Sequence, residues 1–272
     1  MISGPSDKVP RPSRRAGRST ALGLALAAGL ALGGCEDPTV LNGIGSSFVS
    51  PQQEVAMGNQ AWAEIKAKTP IDHDPGLQER VERVGSRIVA ASRSAIPPSK
   101  WDFVVFDTPE VNAFALPGGH VGVYRGMFNV VQDDAQLATV LGHEIGHVNA
   151  HHPAQRSGLG VVTGEVVDVG AALLGLGQIG AMAGQAAGQL GMLAFSRSQE
   201  SQADGLGLTY MARAGYDPAE AITFWQRMTA ATGRGGKPPA FLSTHPPDQQ
   251  RIADLQAKLP EAERIYLKNQ TG

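Results

Sequence analysis

The sequence has very little cysteine, almost no net charge and no internal repeat, and each absence excludes a class of protein. Cys35 is the only cysteine among 272 residues, so an intrachain disulfide and a thiolate metal site are excluded, and any metal must rest on histidines and carboxylates. The formal net charge is -2 and no Lys/Arg block lies beyond the N-terminus, which argues against nucleic-acid binding. No self-similarity at a period of about 20 to 50 residues indicates a repeat array. With 42% hydrophobic residues, the chain can bury one sizeable core, and we expect one catalytic domain.

The N-terminal segment has the pattern of an export signal. Basic residues precede an uncharged run over residues 21–32, which is too short to span a bilayer as a mature helix. The string Leu32-Gly33-Gly34-Cys35 resembles a bacterial lipoprotein box, in which the cysteine is acylated and becomes the first mature residue. We predict a signal peptide over 1–34 and a lipidated Cys35 followed by a flexible tether to 51; the alternative is a plain secretory signal with an accidental cysteine.

The rest of the chain predicts a mostly helical α+β domain over residues 52–272. Residues 54–68 and 75–92 have the periodicity of amphipathic helices, and 101–106 is β-prone. Short apolar runs on either side of Pro117-Gly118-Gly119 add a hairpin, so we expect a small antiparallel sheet. A helix beginning at Asp133 or Asp134 follows the sheet, and further helices begin near Ser198 and after Asp217.

A segment rich in glycine and alanine occupies residues 158–195. It carries no formal charge from residue 170 onward, so its length permits a transmembrane helix. Its hydrophobic density is low, however, which favours a lid over the active site or a segment that touches lipid.

The strongest chemical signal is His143-Glu144-Ile145-Gly146-His147 within a predicted helix. Spacing of i and i+4 places both imidazoles on one helix face, one turn apart, where they can share a tetrahedral ion. Glu144 projects at an angle to them and can reach a water on that metal. The alternative is a charged helix with two surface histidines.

A later helix offers a third ligand. A hydrolytic zinc site needs three protein ligands and one open position, and Glu200 and Asp204 lie one turn apart on a single helix face. Glu200 could bind the metal while Asp204 accepts the free ring N–H of a ligand histidine. The alternative is a solvated acidic face with a surface ion pair to Arg197.

Several motifs in order resemble the family of CAAX prenyl endopeptidases and bacterial envelope quality-control zinc metalloproteases, peptidase family M48. They are the H-E-x-x-H pentapeptide, E-x-x-A-D at Glu200–Asp204, and Thr244-His245-Pro246-Pro247 with Arg251, preceded by the segment 112–119. The similarity extends from about residue 50 to 257. The resemblance implies a zincin-type fold and one Zn²⁺ per chain, bound by His143, His147 and Glu200. It also implies that Glu144 is the general base and that Asp204 contacts a ligand rather than the metal.

The resemblance also implies that His245 lies close to the metal. An imidazole on a proline-stiffened loop can stabilise an oxyanion or occupy the water position and silence the site, and the sequence leaves both open. Arg251, in the helix after the proline pair, either supports the same charge or buttresses the loop. The remaining histidines are expected to be structural, because three ligands fill a catalytic site; they include His73, His120, His151 and His152.

The stretch before the hairpin turn is a candidate substrate-binding edge strand. An extended strand can pair with a substrate backbone and tolerate many side chains, a role we assign to Asn112, Ala113, Phe114 and Ala115. The alternative is a buried hairpin strand.

Together these features predict a zinc metalloendopeptidase of the lipoprotein branch, anchored in the bacterial envelope and facing the periplasm. Its expected substrates are unfolded or misassembled envelope proteins, cleaved by a zinc-bound water that Glu144 activates. Prenylated substrates are not implied, because no convincing spanning helix remains after signal removal. The alternative is a non-catalytic lipoprotein that assists envelope-protein assembly, against which the intact Glu144 argues. The oligomeric state is left open.

Overall fold

A computed structural model describes Met1, Gly4 and residues 49–155, 195–232, 239–246 and 249–270. The predicted signal peptide, Cys35 and all of the Gly-rich segment except Phe195 lie outside the described residues. Within the described part, no helix combines the length and the apolar character needed to cross a bilayer.

The described secondary structure is mostly helical, as predicted, and its elements lie in the unit Glu36–Gly272. In chain order they are α1 (Pro51–Lys68), α2 (Pro75–Ser92), β1 (Asp102–Phe106), β2 (Ala113–Leu116), β3 (His120–Tyr124), α3 (Asp134–Asn149), α4 (Arg197–Arg213), α5 (Ala219–Thr232), α6 (Phe241–Thr244) and α7 (Gln249–Gln270). Two 3₁₀ turns, Pro98–Lys100 and Arg125–Asn129, flank the sheet.

Side-chain caps fix where the helices of the site begin. Asp133 caps α3 by accepting a hydrogen bond from the Gln136 amide at 2.8 Å. Ser196 and Gln199 form a reciprocal capping box at the start of α4. Each cap satisfies amide groups that would otherwise have no partner in the first turn, so both starts are encoded locally.

The sheet is mixed, so the prediction of a small antiparallel sheet is confirmed for the hairpin and wrong for β1. β2 and β3 form the predicted antiparallel hairpin, with Gly118 and Gly119 at φ 97° and 94° in the turn. β1 pairs in parallel with β3, so the strand order is β1-β3-β2. All three strands are buried almost throughout, and the sequence therefore contains no polar alternation that marks which strand lies at the edge.

The described residues form a core with two parts. The larger packs α2, α3 and α4 with one another and against one face of the sheet, and it includes Val84, Ile88, Leu141 and Met211. The smaller lies between α1 and the sheet and is aromatic, with Trp62, Phe106, Phe114 and Tyr124 at ring-centroid distances of 5.7 to 6.3 Å for the contacting pairs.

Small residues let α3 and α4 approach unusually closely. A Cβ atom on Gly207 would lie 2.9 Å from the backbone nitrogen of His143 and 3.0 Å from the carbonyl carbon of Gly142. One on Gly146 would lie 3.0 Å from the carbonyl oxygen of Ala203. This close contact brings the start of α4 against the histidine-bearing face of α3.

Candidate metal centre

Four side chains from three parts of the chain converge at one face of α3. His143 and His147 come from α3, Glu200 from the first turn of α4, and His245 directly follows α6. One donor atom from each lies within 4.8 Å of the others, and all four residues are at most 3% exposed. The structure thus brings the three predicted ligands together and adds the histidine that the family resemblance had placed nearby.

The spacing of these donors matches a tetrahedral metal. Nε2 of His143 lies 3.0 Å from Nε2 of His147 and 3.1 Å from Nδ1 of His245. Nε2 of His147 lies 3.3 Å from Oε1 of Glu200. Ligands at 2.0–2.1 Å from a tetrahedral ion are about 3.3 Å apart, so an ion of this size fits between these atoms.

The ring-proton arrangement also fits a cation. Nδ1 of His143 lies 2.9 Å from Oδ1 of Asp204, a pure acceptor when ionised, so Nδ1 carries the proton and Nε2 presents a lone pair. Nε2 of His147 faces that lone pair at 3.0 Å. Two such nitrogens repel each other unless a proton or a metal ion lies between them.

The charges favour a cation in the same place. Burial alone would raise the pKa of Glu200, but the neighbouring His245, Arg251 and His143 hold it well below its usual value. Burial would likewise lower the pKa of His143, but the carboxylates of Glu200 and Asp204 outweigh it and raise that pKa. The negative charge of these two carboxylates favours a proton on His143, and it would equally favour a metal ion.

Glu144 lies beside the cluster and contacts β2. Its Oε2 accepts a hydrogen bond from the Ala115 amide at 3.1 Å, and its Oε1 is 3.3 Å from Nε2 of His245. The residue is 3% exposed, and this burial raises the pKa of the carboxyl group. A raised pKa makes the carboxylate a better proton acceptor near neutral pH.

Asp204 and Arg251 form a buried, hydrogen-bonded pair beside the predicted ligands. Nε and Nη2 of Arg251 donate to the two carboxylate oxygens of Asp204 at 2.8 Å each. Nη1 lies 2.5 Å from Oε2 of Glu200 and donates to the Pro246 carbonyl at 3.2 Å, while the guanidinium stacks 3.9 Å from the Trp225 ring centroid. Of the two roles considered for Arg251, these contacts correspond to buttressing the loop and the carboxylates.

His245 lies at the fourth corner of the cluster. Its Nδ1 is 2.9 Å from Oε1 of Glu200, and its ring packs against Phe241 and Phe195 at centroid distances of 4.4 and 5.2 Å. The imidazole is therefore held among aromatic rings, with one nitrogen toward the ligands and the other toward Glu144.

The predicted edge strand lies where proposed, at the end of the strand order, but its side chains are buried. Ala113 to Leu116 are at most 6% exposed, and Asn112 accepts a hydrogen bond from the Ala113 amide through Oδ1 at 3.0 Å. The Ala115 amide joins this strand to Glu144.

His152 is the residue at the site that sequence reasoning missed. Expected to be structural, it is 1% exposed, and its Nδ1 lies 2.9 Å from Nδ1 of His147. Burial lowers the pKa of His152 to about 4. The one available signal was a second histidine just past the helix end. His120, by contrast, is half-buried and stacks on Trp62 at a centroid distance of 5.3 Å.

Comparison with known proteins shows the family to which this chain belongs. The profile of peptidase family M48 matches residues 75–259, more than half of the chain, and the chain therefore belongs to that family. The predicted family and metallopeptidase fold are confirmed, and the described residues of the domain include a cluster that could hold a metal ion.

Individual relatives are similar over most of this chain. The mitochondrial metalloendopeptidase OMA1 of Schizosaccharomyces pombe is 37% identical over 228 residues, which cover 79% of this chain and 64% of the relative. The beta-barrel assembly-enhancing protease of Escherichia coli is 32% identical over 221 residues, covering 77% and 44%. The OMA1 metalloendopeptidase of Arabidopsis thaliana is 34% identical, covering 85% and 47%. The chain thus spans less than two thirds of the length of each.

Proposed function

We propose that this protein is a zinc-dependent metalloendopeptidase in which His143, His147 and Glu200 hold the metal and Glu144 is the general base. The observation that carries the proposal is the convergence of four buried donors within 4.8 Å beside a buried carboxylate. The names of the relatives, metalloendopeptidase and protease, support it. Donors of nitrogen and oxygen in tetrahedral spacing suit Zn²⁺.

Each residue then has a defined task. Bound zinc would lower the pKa of a coordinated water and polarise the scissile carbonyl. Oε2 of Glu144 is held by the Ala115 amide, which leaves Oε1 to take the proton from the attacking water and return it to the leaving amine. Asp204 keeps the proton of His143 on Nδ1, and Arg251 keeps Asp204 ionised and in place.

We further propose that His245 acts as an inhibitory fourth ligand. Its Nδ1 lies within 3.1 Å of donor atoms on two other ligands, a position that would exclude water from the metal. The ring must therefore move before hydrolysis begins. The oxyanion-stabilising role requires the opposite, a ring that stays near the metal during catalysis without replacing the water.

The edge of β2 suits a substrate backbone. The carbonyls of Asn112 and Leu116 accept hydrogen bonds from Tyr124 and Gly119 on the β3 side. In an antiparallel pair such groups alternate, so the carbonyls of Ala113 and Ala115 are directed to the opposite side, where an added strand could bind them. Recognition through the backbone suits unfolded polypeptides, and we propose unfolded or misassembled envelope proteins as substrates.

We place the enzyme in the bacterial envelope, lipid-anchored through Cys35 and facing the periplasm. The N-terminal sequence pattern and the relatives named beta-barrel assembly-enhancing proteases support this location. A Cys35→Ser variant should move from the membrane pellet to the soluble fraction after cell lysis. Retention of that variant in the pellet would contradict anchoring by the lipid.

The central test is Glu144→Gln, which keeps the shape of the side chain and removes the base. The variant should bind one zinc per chain yet cleave casein about 10² to 10⁴ times more slowly, because general-base catalysis is lost. Glu79→Gln, on the exposed face of α2, is the control and should keep full activity. Undiminished cleavage by Glu144→Gln would remove Glu144 from the mechanism. A wild-type protein whose cleavage a chelator does not stop would favour the non-catalytic assembly role.

A further inference from the structure

The two metal-binding histidines of α3 differ in what holds their outer ring nitrogens. Nδ1 of His143 is bound by the carboxylate of Asp204 at 2.9 Å. Nδ1 of His147 is instead bound by another imidazole, Nδ1 of His152, at 2.9 Å. The far nitrogen of His152, Nε2, lies 3.1 Å from Oε1 of Gln202 on α4.

The inference rests on the proposed metal site, because metal binding determines where the ring protons of His147 and His152 lie. If Nε2 of His147 binds the metal, its Nδ1 must carry the ring proton and donate it. Nδ1 of His152 must then be the acceptor, and its single proton must lie on Nε2. That proton is donated to the amide oxygen of Gln202, so one orientation of Gln202 fixes the tautomers of both imidazoles.

The backbone is shaped to put His152 in this place. In an uninterrupted helix, a residue five positions after His147 would point well away from it. α3 ends at Asn149, and His151 adopts a left-handed conformation with φ 56°, which turns the chain back. A non-glycine residue rarely takes this conformation, and here it aims the buried His152 ring at the ligand rather than at solvent.

We propose that His152 and Gln202 are positioning residues that fix the tautomer and ring orientation of His147 for metal binding. They do so without adding a negative charge, unlike Asp204 on His143. The pair therefore orients the second histidine while leaving the charge of the site unchanged.

The test compares zinc affinity, measured by chelator competition, across matched variants. His152→Phe keeps a ring of similar size but removes the acceptor, and it should weaken zinc binding about 10- to 100-fold. His152→Gln retains an oxygen that can accept from His147 and should recover most of that affinity. His151→Asn is the control: it replaces the neighbouring, largely exposed histidine with a residue that tolerates φ 56°, and it should bind zinc like the wild type.

Gln202→Leu separates positioning from packing, because Gln202 is exposed and contributes little to the core. Loss of its oxygen should weaken zinc binding in the same direction as His152→Phe, by a smaller factor, while the melting temperature of the zinc-free protein stays unchanged. The absorption bands of the Co²⁺-substituted protein should shift in both variants, because they report ligand geometry independently of hydrolysis.

The outcomes are distinguishable. Wild-type zinc affinity and cobalt spectrum in His152→Phe would overturn the role of His152 while leaving the metal site intact. Equal losses in His152→Phe and His152→Gln, with no effect of Gln202→Leu, would show that the ring only fills space. Failure of the wild-type protein itself to bind zinc would overturn the proposed function as well as this inference.

Discussion

His143 and His147 are the same residue type one helical turn apart, yet their neighbours give them different electrostatic surroundings. His143 is bound to Asp204, whose charge is balanced by Arg251, whereas His147 is bound to the neutral His152. With Glu144, Glu200 and Asp204 ionised and Arg251 positive, these groups carry a net charge of -2. A divalent cation would neutralise that charge, which a buried site requires.

At the residue scale, His245→Ala distinguishes the two roles of this histidine. We expect basal casein cleavage to rise, because removal of the imidazole opens the fourth corner to water. The rise should be about tenfold if the ring occupies that corner nine-tenths of the time. The measurement is kcat with saturating zinc, and zinc affinity should fall in the same variant.

A decrease in kcat of about 10² to 10³ would contradict inhibition and indicate oxyanion stabilisation. Phe241→Leu is a useful companion, since it loosens the aromatic packing around the ring without removing the imidazole. On the inhibitory hypothesis it should raise activity by a smaller factor than His245→Ala.

The sequence was informative about single residues wherever helical spacing alone brings groups together. The i, i+4 relation placed His143 beside His147, and the same relation placed Asp204 one turn from Glu200. The placement of His245 came from family resemblance, because a loop residue has no periodicity. Helical spacing does not place His152 at the site, since its position depends on the left-handed backbone of His151.

At the scale of elements, the contact between α3 and α4 sets the distance from Glu200 to the histidines. The two helices run in opposite directions, with Gly142 opposite Gly207 and Gly146 opposite Ala203. Larger side chains at these positions would separate the backbones. The proposed metal site therefore depends on residues that are not among its proposed ligands.

Gly207→Ala should consequently destabilise the fold and weaken metal binding together. The new Cβ would lie 2.9 Å from the His143 nitrogen, where the backbone must shift, at a cost of about 1 to 3 kcal/mol. Urea denaturation and zinc competition measure the two effects. Gly205→Ala on the same helix is the matched control.

A Cβ on Gly205 would meet only the flexible end of Lys258, 3.0 Å away at Nζ. That variant should gain up to about 1 kcal/mol from helix propensity and keep its zinc affinity. If Gly207→Ala behaved like Gly205→Ala, close packing of α3 and α4 would not control the site.

A pair of arginines connects α2 to the first turn of α3. Oδ1 and Oδ2 of Asp134 accept from Nε of Arg80 at 2.8 Å and Nη1 of Arg83 at 2.6 Å. Burial acts to raise the pKa of Asp134, but the hydrogen bonds from Arg83 and Arg80 outweigh it, and the pKa is lowered. A carboxyl group with a lowered folded-state pKa stabilises the fold above its unfolded pKa, and this contribution is lost as the pH falls through the folded value.

Asp134→Asn should therefore cost about 1 kcal/mol of unfolding free energy at pH 7. The difference from wild type should shrink once the pH falls below about 3.9, the ordinary pKa of aspartate, and vanish below the folded-state value. Urea denaturation of both proteins across this pH range gives the difference in their unfolding free energies. Any loss of metal at acid pH affects both proteins alike and does not change this difference.

The control is Glu64→Gln, which breaks the exposed i, i+4 pair with Lys68 and should change stability by no more than about 0.5 kcal/mol. A loss in Asp134→Asn that persists unchanged at acid pH would contradict the ion-pair explanation.

The sequence predicted the helices well and the strand pairing poorly. Caps and periodicity act within a few residues, so the starts of α2, α3 and α4 could be located. The parallel pairing of β1 with β3 depends on contacts between distant segments. Buried strands such as these carry no local signal of their neighbours.

At the scale of the whole molecule, the proposed ligands join segments that are far apart in the chain. α3, the start of α4 and the end of α6 would all be held by one ion, so metal binding and folding should be coupled. Free zinc at about a thousand times its Kd would add roughly 4 kcal/mol of stability. Removal of zinc by a chelator should lower the Tm by roughly 8 to 16 °C.

Calorimetry on the Glu144→Gln variant is the suitable measurement, because that variant should not digest itself. Added Zn²⁺ should restore the Tm, whereas Mg²⁺ should not, since the donors are imidazoles rather than oxygens alone. An identical Tm with and without chelator would show that the three segments hold together without the ion.

The hydrogen bond from the Ala115 amide to Glu144 links the proposed general base to the strand on which we propose the substrate lies. If a peptide pairs along this edge, its backbone pairing determines which peptide bond lies at the reactive centre. That bond is a fixed number of residues from the point where the peptide enters. Cut sites mapped by mass spectrometry on denatured proteins should then show no consensus in amino-acid identity. Proline should be depleted at alternate positions around the cut, where its missing amide proton would break the pairing.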